Sequence, residues 1–217
     1  MTDSQLLKKD LFGEIRQTVV ARETRIVRDT TGASRWVRWL ARLLLRREAT
    51  ALAAIGALDG VPQLIATSRD SLARSFLTGV PMHHAKPRDA GYFRSAARLL
   101  RQLHRLGVVH NDLAKEPNFL VREDGSAGII DFQLAWCSPR RGRLFRMLAY
   151  EDLRHLLKHK RTYLPQQLSR REREILNSPT MPSRAYRATA KPLYMFVTRR
   201  LLGWEDREGA ADRGDRH

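Results

Sequence analysis

Two hydrophobic periods alternate along this chain. Between residues 14 and 28, the stretches Gln17–Arg22 and Thr24–Arg28 are rich in β-branched side chains and predict extended structure. Asp29-Thr30-Thr31-Gly32-Ala33-Ser34 has turn chemistry, with Ser34 placed as a helix N-cap. From 35 to 57 the pattern is helical. At about 100° per residue, Arg35, Arg38, Arg42 and Arg46 share one face. Val37, Leu40, Ala41, Leu44, Ala51 and Ile55 share the opposite one. Glu48 falls in the middle of that apolar face, where a carboxylate needs a cationic or hydrogen-bonding partner.

Gly60-Val61-Pro62 closes this unit, and Gln63–Thr67 and Arg74–Leu77 predict two short strands. Thr78-Gly79-Val80-Pro81 reads as a loop and a hinge between lobes. Tyr92–Leu106 is helical, with Phe93, Ala96, Ala97, Leu100 and Leu103 on one face and Gly107 ending it. Asn118–Val121, an Asp124-Gly125 turn and Gly128–Phe132 form a hairpin pattern. Helices follow over 144–161, 169–177 and 183–202, and the charged tail 205–217 is expected to be disordered. The reading is α+β: an N-terminal lobe over 1–80 with a small sheet and one long helix, then a helical lobe over 81–204.

Composition narrows the function classes. Cys137 is the only cysteine, which excludes an intramolecular disulfide and a cysteine-based zinc site. No apolar run approaches the roughly 18 residues of a membrane span. Met1–Asp10 is polar, so no signal peptide is expected and the cytoplasm is the expected location.

Charge changes more. Forty Lys and Arg against 23 Asp and Glu give +17, which favours anionic partners. Between 133 and 200 there are sixteen basic residues against four acids. The Arg35–Arg46 stripe, with Trp36 and Trp39 beside it, reads either as a solvated face or as a membrane-surface helix with peripheral contact at an inner membrane. His83 and His84 lack a third ligand at useful spacing and read as surface histidines.

The chemistry concentrates in Leu103-His104-Arg105-Leu106-Gly107-Val108-Val109-His110-Asn111-Asp112-Leu113 and Gly128-Ile129-Ile130-Asp131-Phe132-Gln133. These segments resemble the catalytic and metal-binding loops of the protein-kinase superfamily, in its small prokaryotic branch of RIO-type kinases and the Kdo and heptose kinases of lipopolysaccharide synthesis. The resemblance is best over about 95–135. It implies a two-lobed kinase-like fold, ATP and Mg²⁺ as cofactors, and phosphoryl transfer to a hydroxyl. Asp112 would then orient the attacking hydroxyl, Asn118 and Asp131 would hold Mg²⁺, and His110 would brace the two loops. Glu48 matches the helix glutamate that pairs with a phosphate-binding strand lysine, and Arg28 stands where that lysine is expected. The hairpin brings Asn118 and Asp131 to the same end of one ribbon, as a shared metal site requires.

The chain also departs from the family. Arg28 replaces lysine, and a planar guanidinium is not an ammonium. No glycine-rich phosphate loop precedes it. Five residues separate Asp112 from Asn118, one more than the family pattern, and Pro117 stands where the asparagine is expected. Gln133 replaces the glycine of Asp-Phe-Gly, a change read as affecting loop flexibility alone. No Ala-Pro-Glu follows.

These features frame three readings. The first is an atypical kinase whose acceptor is a protein serine or threonine, or a phosphorylated sugar of a lipopolysaccharide core. The second is a pseudokinase, a nucleotide-binding scaffold without turnover. The third is a basic nucleic-acid-binding module, which has no aromatic-basic motif or zinc knuckle in its favour.

Overall fold

Strands β1 (Asp3–Asp10), β2 (Gly13–Val20) and β3 (Glu23–Asp29) form an antiparallel meander in the computed structural model, which describes residues 3–178. The β-branched character of 14–28 accounts for β2 and β3. The break between them falls at Ala21-Arg22, inside the stretch read as strand. Val20 pairs with Glu23, and Ala21 and Arg22 both take positive φ (51° and 70°), the geometry of a tight two-residue hairpin turn.

Strand β1 has no counterpart in the sequence reading. Residues 4–10 are exposed, and Leu6-Leu7 and Lys8-Lys9 break any alternation. A strand that buries neither face leaves no period-2 signal. Its order comes from the backbone ladder to β2, irregular between Leu6 and Lys8.

Helix α1 (Arg38–Ile55) follows, then β4 (Leu64–Thr67) and β5 (Ser71–Ser75). Together the strands make one five-stranded sheet, ordered β1-β2-β3-β5-β4, with every pairing antiparallel. The chain then runs through β6 (Val80–Pro81), α2 (Met82–Ala85), α3 (Ala90–Arg105), β7 (Val108–Val109), β8 (Phe119–Val121), β9 (Ala127–Ile129), β10 (Trp136–Cys137), α4 (Arg143–Tyr163) and α5 (Arg170–Asn177). The stretch read as a hinge loop, 78–81, contributes β6, which pairs with β8 beside the β8–β9 hairpin. The helix expected over 183–202 and the tail from 205 lie outside the described residues.

Local chemistry sets the helix ends. The Asp89 carboxylate accepts the Tyr92 N–H and caps α3. Gly107, at φ +78°, closes it, and a side chain there would meet the Ser138 carbonyl at 2.9 Å.

One core runs through both halves. Ala51, Leu52 and Ile55 of α1 join Tyr92 and Leu100 of α3, Phe119, Ile129 and Phe132 of the loop region, and Leu156 of α4. Helix α1 therefore touches the sheet on one side and the loops after β7 and β9 on the other. The fold is mixed α+β, with a five-stranded antiparallel sheet and five helices among the described residues. None of these helices is long and apolar enough to cross a membrane.

Candidate active site

Gly107 turns the chain out of α3 into β7, which delivers His110 to the centre of the molecule. His110 is fully buried. Its Nε2 lies 2.9 Å from the Ile130 carbonyl, and its Nδ1 accepts the Asp112 N–H at 3.3 Å. The carbonyl can only accept and the amide can only donate, so the ring carries its proton on Nε2. The imidazole thus bridges the segment around Asp112 to the residue before Asp131, with its ring 4.8 Å from that of Phe132. This is the bracing position expected of it.

The loop is anchored from below by α4. Asp152, buried to 1% exposure, accepts the backbone N–H of His110 at 2.7 Å and of Asn111 at 3.0 Å, and lies 3.3 Å from His104 Nε2. Two turns along the same face, His159 Nε2 donates to the Leu113 carbonyl at 2.8 Å. The sequence reading missed both residues. The seven-residue spacing from 152 to 159 places both on one helical face with Leu156, and an acid in line with that apolar face was the available signal.

Asn118 reaches Asp112 despite the longer loop. The extra residue is taken up by consecutive turns, with Lys115 N–H donating to the Asp112 carbonyl and Asn118 N–H to the Lys115 carbonyl. Pro117 sits inside a 3-10 turn, Glu116–Asn118, where its missing N–H costs nothing. The Asn118 amide nitrogen donates to the Asp112 carbonyl at 2.9 Å and to Asp112 Oδ2 at 3.2 Å. Its oxygen is thereby turned away from Asp112. Lys115, a second residue that the sequence reading passed over, holds Asp112 Oδ2 at 3.0 Å. Burial raises the Asp112 pKa, with the nearby Asp131 charge acting in the same direction and Lys115 opposing both.

Asp131 follows β9 in the left-handed region, at φ 67°. Asn111 is likewise left-handed, at φ 65°. Non-glycine residues in this region concentrate where a site dictates the backbone. Burial alone would raise the Asp131 pKa, yet the carboxyl is held below its ordinary value by the positive charge of Arg28 and a hydrogen bond from Gln133. Gln133 Nε2 donates to Asp131 Oδ1 at 2.7 Å, so it touches the candidate metal ligand itself, contrary to its reading as a flexibility change.

Glu48 is 0% exposed and lies between two arginines. Arg74 Nε is 3.2 Å from Oε1, and Arg28 Nε is 3.7 Å from Oε2. Neither carboxylate oxygen has a well-aligned hydrogen bond, so the contacts are ion pairs. Arg28 pairs with Glu48 as expected, but the closer partner is Arg74, which the sequence reading left in a strand without a role. The register explains why both face α1. Arg28 lies opposite Leu72, and Arg74 is two residues along on the same face of β5. Burial lowers the Arg74 pKa, and Glu48 opposes that shift.

The donor set suits a hard cation. Asp131 offers an ionised carboxylate and Asn118 an amide oxygen, and magnesium takes few protein ligands and keeps waters. Among the described residues, no cluster of three or more His, Cys, Asp or Glu forms a self-sufficient metal cage, and His83 and His84 belong to none. No family model matches the chain, and no curated protein matches it either.

Proposed function

We propose that this chain is a kinase-like phosphotransferase with a two-lobed, kinase-like arrangement, using ATP and Mg²⁺ to phosphorylate a hydroxyl. What carries this reading is the interlock of two loops: His110 joins the Asp112 segment to the Asp131 segment, and Asp152 locks the first to α4. Asp112 is the group that accepts the acceptor hydroxyl's proton. Its raised pKa moves it towards the range of an effective base, and Lys115 and Asn118 fix its orientation. Asp131 and Asn118 are the residues that would hold the metal, which supplies charge neutralisation on the nucleotide phosphates when bound. Arg28 and Arg74, positioned by Glu48, are the cations available to those phosphates. The acceptor is a protein serine or threonine, or a sugar of a lipopolysaccharide core, and the site of action is the cytoplasm.

A second reading is favoured by one observation. The positive charge of Arg28 favours the ionised form of Asp131 without a metal, which suits a nucleotide-binding scaffold without turnover. Thermal unfolding with and without ATP and Mg²⁺, on wild type and Asp131→Ala, tests the shared part of both readings. Nucleotide at a hundred times its Kd stabilises the folded state by about 2.7 kcal/mol. A metal-dependent rise in midpoint that disappears in Asp131→Ala is expected, and no shift at saturating nucleotide would refute the site. Loss of phosphate transfer in Asp112→Ala, with the thermal shift retained, separates the enzyme from the scaffold.

A further inference from the structure

The outward face of α1 is made of residue types that water alone does not favour. Trp36 is 58% exposed, Trp39 66% and Leu43 44%. They follow one another at three and four residues, so they form a continuous stripe, with Trp36 in the turn that leads into the helix. Arg46 and Arg47 continue the stripe by one turn, and Arg35 flanks its start; all three are exposed. No side-chain hydrogen bond or ion pair engages these three arginines among the described residues, whereas Arg38 and Arg42 on the neighbouring face are bound to Thr31, Ala33 and Asp70. The only acid in the helix, Glu48, is buried on the opposite side. The turn between β1 and β2 sits against this end of the helix, where the Leu11 carbonyl accepts the Ser34 N–H, and Leu11 is itself exposed.

We propose that this face docks on the surface of an anionic phospholipid bilayer. Indole rings prefer the headgroup layer, where the ring is desolvated while its N–H stays hydrogen-bonded. Arginines with no acid to answer them are drawn to negative headgroups. A stripe with large apolar side chains at one end, unpaired cations beside it and no accessible acid has the composition of an interfacial helix that lies in the membrane plane. The sheet and the core hold the helix from the other side, so the surface is presented without unfolding. The proposal is independent of the phosphotransferase reading.

The test is co-sedimentation of the full chain with two kinds of vesicle: phosphatidylcholine alone, and phosphatidylcholine with phosphatidylglycerol at about two to one. Binding is expected to the mixed vesicles and not to phosphatidylcholine. The pair Trp36→Ser and Trp39→Ser, at exposed sites that leave the core intact, should lower partitioning by about tenfold. The pair Arg46→Glu and Arg47→Glu should do the same. A control pair with the same charge change on another exposed face, Arg98→Glu and Arg105→Glu, should leave partitioning close to wild type. Tryptophan emission should shift to the blue on binding, and the shift should be lost with Trp36 and Trp39. The proposal is overturned by equal loss in the control pair, by no loss in the tryptophan pair, or by tryptophan-dependent binding to an RNA oligomer without binding to vesicles. A concentration-dependent dimer that the tryptophan pair abolishes would overturn it in favour of self-association.

Discussion

Replacing Asp152 tests how the candidate catalytic loop is held. The carboxylate is buried to 1% and receives two backbone N–H groups, from His110 at 2.7 Å and Asn111 at 3.0 Å. A hydrogen bond to a charged group is worth about 1.5–3 kcal/mol. In Asp152→Asn the amide oxygen keeps one of these bonds in neutral form, while the NH₂ group confronts the second N–H. The expected loss is about 3 kcal/mol. In Asp152→Ala both amides are orphaned, and the loss should reach about 4–6 kcal/mol, a large part of a typical domain's 5–15. Urea unfolding reads the total. Hydrogen exchange reads the place: amide protection of His110 and Asn111 should fall about a hundredfold in Asp152→Asn, following the same free energy. An unchanged urea midpoint with unchanged protection at those two amides would refute the anchoring argument.

Three other predictions concern the rest of the frame. Glu48→Gln leaves the half-buried Arg28 and Arg74 without the buried carboxylate that pairs them and should cost about 3 kcal/mol in chemical denaturation; adding Arg74→Met should recover part of it, and strictly additive losses would contradict the pairing. Gly107→Ala should destabilise by more than the usual ~1 kcal/mol, because φ is +78° and the new methyl meets the Ser138 carbonyl; a neutral effect would show that α3 does not need this turn. Burial, helped by Lys158, holds the His155 pKa down from 6.5 to about 4. Both states are neutral above 6.5, so stability is flat there; below it the unfolded chain binds the proton first, and stability falls until about pH 4 by about 3 kcal/mol. Urea midpoints across that window should show the slope, and His155→Gln should flatten it, leaving the same-signed part due to buried His159.

The sequence by itself determined what local periodicity and turn chemistry encode. Helix α1 was legible because its apolar stripe runs for five turns, α3 because Gly107 ends a stripe of the same kind, and the β8–β9 hairpin because Asp124-Gly125 sits between two apolar runs. His110, Asp112, Asn118 and Asp131 were legible as a set because their order along the chain is itself a pattern. Glu48 stood out because a carboxylate breaks an apolar face.

Tertiary structure alone decided who meets whom. Arg74 lies 26 residues from Glu48 and Asp152 lies 42 from His110; both pairings depend on strand register and helix docking, which no local window contains. Strand β1 escaped detection because its order comes from hydrogen bonds to β2 and not from burial. Gln133 belongs here too: its Nε2 reaches Asp131 Oδ1 where Asp131 takes a left-handed backbone beside the packed rings of His110 and Phe132, and His110 comes from a distant segment that no local window around Asp-Phe-Gln contains.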